Sequence, residues 1–308
     1  MGLKVQDVRP NSQNANTNLS LLQNPRLSAG GFVKVEAFAK INLFLDVLGK
    51  RADGYHDIFS VMQTVDMCDD LTISLSEENS FFCNDSAVPM GDQNLVLKAV
   101  NALTKRYNLE EKFKIELTKR IPMGAGLAGG SSDCAATLLG INELLGQRIP
   151  RDELLEVGKS LGADVPFCMT GGTAITEGIG ERITPLSPHP PCYIVIACPG
   201  IFVSTADMFS RLGDMGNLKK RKNFLHAYEN GNLHDMAASF YNIFTSVTTA
   251  LHPEILDIIE AFRSADALGA QMSGTGSAVF AYFYDEKTAK KALTIKNTFL
   301  CKPCERTV

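Results

Sequence analysis

Residues 121–132 read IPMGAGLAGGSS and set Gly124, Gly126, Gly129 and Gly130 ahead of Ser131 and Ser132. Glycine loses more backbone entropy on folding than any other residue. Such density therefore needs either a conformation only glycine adopts or a ligand that must touch the backbone. Before the loop, KFKIELTK at 112–119 alternates as a strand does. After it, Ala135, Leu138, Leu139, Ile141, Leu144 and Leu145 recur at helical spacing, with Ser131 or Ser132 suited to cap the helix start. Strand, glycine loop and helix N-terminus in that order make a phosphate site, because open backbone N–H groups and the helix dipole both favour anionic oxygen.

Three other readings of the loop compete. Gly124, Gly126 and Gly129 satisfy G-x-G-x-x-G, but a dinucleotide fold needs a further parallel strand and an acidic residue soon after the helix, and here a second helix follows. Gly124, Gly129 and Ser131 fall into Walker register, yet Gly130 stands where the lysine belongs. A plain structural turn needs one or two glycines, fewer than are present.

These elements sit in a chain of 308 residues, enough for one large or two ordinary domains, with 45% hydrophobic and 21% charged residues, a soluble globular composition. Net charge is −4 and the basic residues are scattered, which argues against a nucleic-acid surface or a polybasic membrane patch. No apolar run reaches the roughly 18–20 residues that span a bilayer, and the N-terminus lacks a secretory layout, so a cytoplasmic location is expected. The N-terminal Asn-, Ser-, Gln- and Leu-rich stretch reads as a poorly ordered extension over 1–31, with a transit segment a weaker alternative for its few arginines. Among eight cysteines only Cys301 and Cys304 form C-x-x-C, poor grounds for a metal site.

From Val33 to Val47 apolar and other residues alternate, predicting a long strand on which Lys40 and Asn42 share the face away from the core. Strands are expected near 58–65 and 71–76, a helix over 94–107, a helix over 151–161, a strand pair in GGTAITEGIGERI and an apolar strand at 192–200. The proline-rich PLSPHPP at 185–191 reads as a domain connection. Beyond it, helices near 232–247, 253–265 and 286–295 flank strands at 268–272 and 277–283, with the loop MSGTGS between the strands.

The loop PMGAGLAGGSSDCAA resembles the P-x-x-x-G-L-x-x-[GS]-S-[SA] signature of the GHMP kinases, the superfamily of galactokinase, homoserine kinase and mevalonate kinase. AKINLFLDVLGKRADGYHDI, NLVLKAV, LGADVPF, EGIGE, PGIFVST and MSGTGSAVFA follow in an order similar to one branch of it, over about residues 33–285. One departure is Ala128, where that branch usually has glycine.

The resemblance implies an α+β, two-domain GHMP kinase fold: a ribosomal protein S5 domain 2-like N-terminal domain at 32–188, a ferredoxin-like C-terminal domain at 189–300, and a tail at 301–308. It implies an ATP-dependent kinase using Mg²⁺, whose partner is a small molecule, a cytidine diphosphate-linked methylerythritol. ATP would lie over Pro122, Met123, Gly124, Ala125, Gly126, Leu127, Ala128, Gly129, Gly130, Ser131 and Ser132. Asp164 would be the base for the substrate hydroxyl, with Lys40 beside it. Tyr55 and Phe209 would sandwich the cytosine, His56 would bond its edge, and Asn42, Asp164 and Thr205 would hold the rest of the substrate. A second loop, Ser273 to Ser277, would pack against the first. A related sugar or mevalonate kinase is the main competitor, and GKRADGYHD separates the two because a substrate without a base has no use for an aromatic and histidine pair.

Overall fold

The structure, a computed structural model, describes residues 31–213 and 216–305, so all but the last residue of the expected 1–31 extension lies outside it. Strands β1 (Phe32–Lys50) and β2 (His56–Ser76) form one long antiparallel hairpin. Its turn is set by Arg51 and Asp53, whose carboxylate accepts the Tyr55 N–H. β3 (Ser80–Cys83), helix α1 (Leu95–Tyr107) and β4 (Lys112–Thr118) follow. Then come α2 (Gly129–Leu144), α3 (Arg151–Leu161), α4 (Val165–Thr170) and the hairpin β5 (Thr173–Gly178) and β6 (Arg182–Pro185).

Among the described residues, seven strands make this first sheet, in the order β3-β4-β2-β1-β8, where β8 is Tyr241–Asn242, with β5 paired to β2 and β6 to β5. β2 is continuous where the sequence predicts two strands. It pairs β5 through 58–63 and β4 through 70–76, so its halves meet different neighbours, and the register against β1 slips between Phe38 and Lys40. Such a bulge re-aims the side chains beside it.

The second layer holds β7 (Tyr193–Ala197), α5 (Thr205–Ser210), α6 (Leu218–Glu229), α7 (Leu233–Ala238), β8 (Tyr241–Asn242), α8 (Thr245–Leu251), α9 (Glu254–Ser264), β9 (Gly269–Met272), β10 (Val279–Phe283), α10 (Glu286–Ala292) and β11 (Thr298–Cys301). Strands β11-β7-β10-β9 form an antiparallel sheet, in keeping with the ferredoxin-like expectation. The helix predicted over 232–247 is broken. Residues 239–244 leave it so that β8 can pair with β1, and Asn242 bonds the carbonyls of Met272 and Gly274. Residues 301–304 of the predicted tail are also part of the fold, since β11 ends at Cys301 and Cys304 N–H bonds Thr64 O at 2.9 Å.

Two cores result. Leu71, Ile73, Val100, Leu103, Leu138 and Ile141 pack helices α1 and α2 on the first sheet. Ile41, Phe44, Ile194, Ile196, Phe224 and Phe280 join that sheet to the second. The junction covers both faces of β1 from Ala37 to Val47. Lys40 and Asn42 do share a face, but both are buried rather than solvated.

Candidate active site

The glycine loop is held by its neighbours more than by its own bonds. Gly124 and Gly126 take φ of 64° and 80°, the left-handed region glycine tolerates, and Ala128 takes φ 57° without that freedom. Ala128 is itself the N-cap of α2 and makes no side-chain cap. Ser131 and Ser132 are therefore inside the helix rather than capping it, which corrects the sequence reading. The helix starts with two glycines, and its first-turn N–H groups have no side-chain cap. Ser132 instead donates to Phe38 O at 2.7 Å and docks α2 on β1. Ala125, Leu127 and Ser132 face inward, Met123, Gly124 and Gly130 are exposed, and Pro122, Gly126, Ala128, Gly129 and Ser131 are intermediate.

Lys40 lies behind this loop. Its backbone N–H donates to Leu127 O, and its buried ammonium donates to Gly126 O at 2.9 Å and Asn42 Oδ1 at 2.8 Å. The Asp164 carboxylate is 3.8 Å away and about a third exposed. Asp164 immediately precedes α4, where Pro166 suits the first turn, and its side chain caps nothing and remains available. Burial pushes the nearby Cys168 thiol well up, out of reach of thiolate chemistry.

Asn42 is occupied. Its Oδ1 accepts from Lys40, from Ser273 Oγ at 3.3 Å and from Gly274 N–H at 3.0 Å, and its Nδ2 donates to Ser60 Oγ at 2.9 Å. It joins the reacting end to the second loop, where the sequence reading had it holding substrate. The second loop meets the first as expected: Ser273 Oγ donates to Gly126 O at 2.9 Å, and Ala278 N–H to Ala125 O. A Cβ on Gly126 would stand 2.2 Å from Ser273 O, so the two loops meet backbone to backbone. Thr205 opens α5 and bonds Thr275 Oγ1 at 3.1 Å.

At the far end of the hairpin the arrangement differs from the expected sandwich. The His56 ring stacks on Phe209 with centroids 4.9 Å apart at 27°, and Phe209 meets Phe244 edge-on at 4.8 Å. One face of Phe209 is thus taken by His56, while Tyr55 stands 62% exposed on the turn. The structure brings Lys40, Asn42, Asp164 and the glycine loop together at one end, and His56 with Phe209 at the other.

Sequence reasoning missed the buried charges beneath the loop. Lys119 Nζ lies 2.5 Å from Asp69 Oδ2 and 2.8 Å from Asp133 Oδ2, and all three residues are buried. The sequence carries no distinct signal for it, because Asp69 stands in β2 beside the acidic Asp66 and Asp70 and buried polar residues such as Gln63 and Thr64.

Comparison with known proteins bears on the family and the fold. Residues 94–172 match the GHMP kinases N terminal domain and 224–297 the GHMP kinases C terminal domain. A 4-diphosphocytidyl-2-C-methyl-D-erythritol kinase of Caldicellulosiruptor saccharolyticus is 42% identical over 88% of this chain and 97% of its own. One of Clostridioides difficile is 39% identical over 84% and 89%. A crystal structure of 4-(cytidine 5'-diphospho)-2C-methyl-D-erythritol kinase superposes with a TM-score of 0.76 at 29% identity, over 88% of this chain and 98% of that one. A homoserine kinase from Cytophaga hutchinsonii, at 21% identity and a TM-score of 0.71 over 94% and 97%, shares the fold.

Proposed function

Because the chain belongs to the 4-diphosphocytidyl-2-C-methyl-D-erythritol kinases, a branch of the GHMP kinases, we propose that it transfers the γ-phosphoryl group of ATP to the 2-hydroxyl of 4-diphosphocytidyl-2-C-methyl-D-erythritol, in the non-mevalonate (methylerythritol phosphate) route to isoprenoid precursors. The observation that carries this reading is the Lys40 ammonium, which touches Gly126 O of the glycine loop and faces Asp164 at 3.8 Å.

Phosphoryl transfer asks the protein to align an acceptor oxygen, neutralise charge and receive a proton. Asp164, partly exposed, takes the proton of the substrate hydroxyl. Lys40 offsets charge on the reacting oxygens. The loop backbone and the uncapped start of α2 receive the ATP phosphates. Asn42 keeps Lys40 and the second loop in register, and Thr205 lies on the substrate side of that loop. Tyr55 and the His56–Phe209 stack offer the aromatic surface and ring nitrogens that a cytosine needs.

Mg²⁺ would enter with the ATP phosphates, whose hard oxygens and water suit it, and no protein ligand is assigned to it because Asp164 serves as the base. It would supply neutralisation of phosphate charge. Among the described residues no helix is long and apolar enough to cross a membrane, and we place the enzyme in the cytoplasm, acting on small molecules rather than nucleic acid.

The test is incubation with ATP, Mg²⁺ and, separately, the cytidyl acceptor, mevalonate, homoserine and galactose, of which only the first should accept phosphate. Asp164→Asn keeps shape and removes the base, so turnover should fall by about 10²-fold or more while ATP binding holds. Near-parent turnover in that variant would dismiss Asp164 as the base.

A further inference from the structure

The glycine loop enters and leaves through one buried cluster of charges. Asp69 of β2 accepts the backbone N–H groups of Arg120 and Ile121, the two residues before Pro122, on Oδ1 at 2.5 and 2.8 Å. Its Oδ2 accepts from Lys119. The same ammonium reaches Asp133 Oδ2 on the second turn of α2, the helix by which the chain leaves the loop. A Cβ on Gly129 would lie 3.1 Å from Lys119 Nζ and 3.0 Å from Ile121 Cγ2. The first residue of α2 therefore rests against the ammonium and the segment that enters the loop after β4.

We propose that Lys119, clamped between Asp69 and Asp133, is a positioning residue for the glycine loop, fixing its two ends and hence the backbone N–H groups that meet phosphate. Stability alone is a poor reason for such a cluster. Three buried charges are commonly matched or bettered by apolar residues of the same volume, whereas a hydrogen-bonded ionic network fixes geometry. The cluster also has a charge consequence. Without the ammonium, two carboxylates would confront the helix end that receives phosphate, opposing the dipole there. Asp133 Oδ1 is buried with no hydrogen-bond partner among the described residues, so Lys119 is the group that offsets it.

The inference rests on reading the loop as the ATP site. Its test is calorimetric binding of ATP and of the cytidyl acceptor to the full chain, with thermal melting alongside. Lys119→Met keeps the length of the stem and removes the charge. ATP affinity should weaken about tenfold or more, with acceptor affinity unchanged. Because that variant strands two carboxylates, Lys119→Met with Asp133→Leu is the companion. It should recover thermal stability without recovering ATP affinity, a split that a merely structural role would not produce. Full recovery of ATP affinity in the double variant, or equal weakening of both ligands in it, overturns the positioning role. A parent protein that binds no ATP overturns the kinase reading with it.

Discussion

Gly126→Ala puts the meeting of the two loops to the test. The added Cβ would lie 2.2 Å from Ser273 O, 3.0 Å from its carbonyl carbon and 3.2 Å from Gly276 O, on a residue with φ 80°. Carbon and oxygen settle at about 3.3 Å or more, so the loops must part by about 1 Å. Left-handed backbone costs alanine roughly 1–2 kcal/mol, and wedging packed groups apart about 1–3 kcal/mol. The variant should thus lose roughly 2–5 kcal/mol of stability. The larger effect falls on Lys40. Gly126 O accepts from Lys40 Nζ and Ser273 Oγ, both at 2.9 Å, and a shift of that size takes it out of hydrogen-bond reach. Misplacement on this scale costs about 10²-fold in turnover. Gly91→Ala is the control, because its Cβ would meet nothing within 4 Å and its φ lies outside the left-handed region. Steady-state kcat and KM for ATP, read beside melting curves, should separate the two variants sharply. Near-parent turnover in Gly126→Ala, or equal damage from Gly91→Ala, would refute the reasoning.

Two further outcomes are expected. Burial raises the Asp133 carboxyl to about 7 from an ordinary 3.8, so the folded protein binds that proton more tightly than the unfolded chain, and stability from this group is lost as pH rises from about 4 through about 7. Lys119 returns part of that cost. Asp133→Asn should therefore melt higher than the parent above about pH 7, by about 1–3 kcal/mol of stability, and match it near pH 4, and a constant difference across that window would contradict the assignment. At the hairpin end, Phe209→Ala removes the ring His56 stacks on, while Tyr55→Ala removes an exposed ring. Both should weaken the cytidyl substrate, by roughly 1–3 kcal/mol per lost stacking contact, and neither should alter ATP binding, whereas a uniform loss of both ligands would indicate misfolding.

The order strand, glycine loop, helix was legible because each part is local: alternation, glycine density and helical period all lie within 112–145. The burial of Lys40 was not. Alternation assigns one face of a strand to solvent, but β1 is sandwiched between two layers, and the second layer comes from residues far along the chain. The serine cap failed for a related reason. A cap preference assumes a helix end in water, and here Ala128 turns left-handed inside a loop pinned from both sides, so the helix begins three residues before Ser132. Lys119, Asp69 and Asp133 are ordinary charged residues in sequence and become a cluster only when β2, the end of β4 and α2 converge. The broken helix at 239–244 was equally hidden, because its competitor is a pairing with Leu45.

The returning chain has a consequence for synthesis on the ribosome. β5 and β4 leave residues 64–69 of β2 uncovered between them, and 302–304 cover 64–66 of that gap, through Cys304 N–H to Thr64 O, Asp66 N–H to Lys302 O and the Val65–Pro303 bridge. The free side of β1 at Phe44 and Leu45 likewise waits for β8. The N-terminal sheet thus emerges first and is finished last. Until residues 302–304 have been made it displays unpaired strand edges of the kind that recruit neighbouring chains, so vectorial folding cannot complete one layer before the other is made.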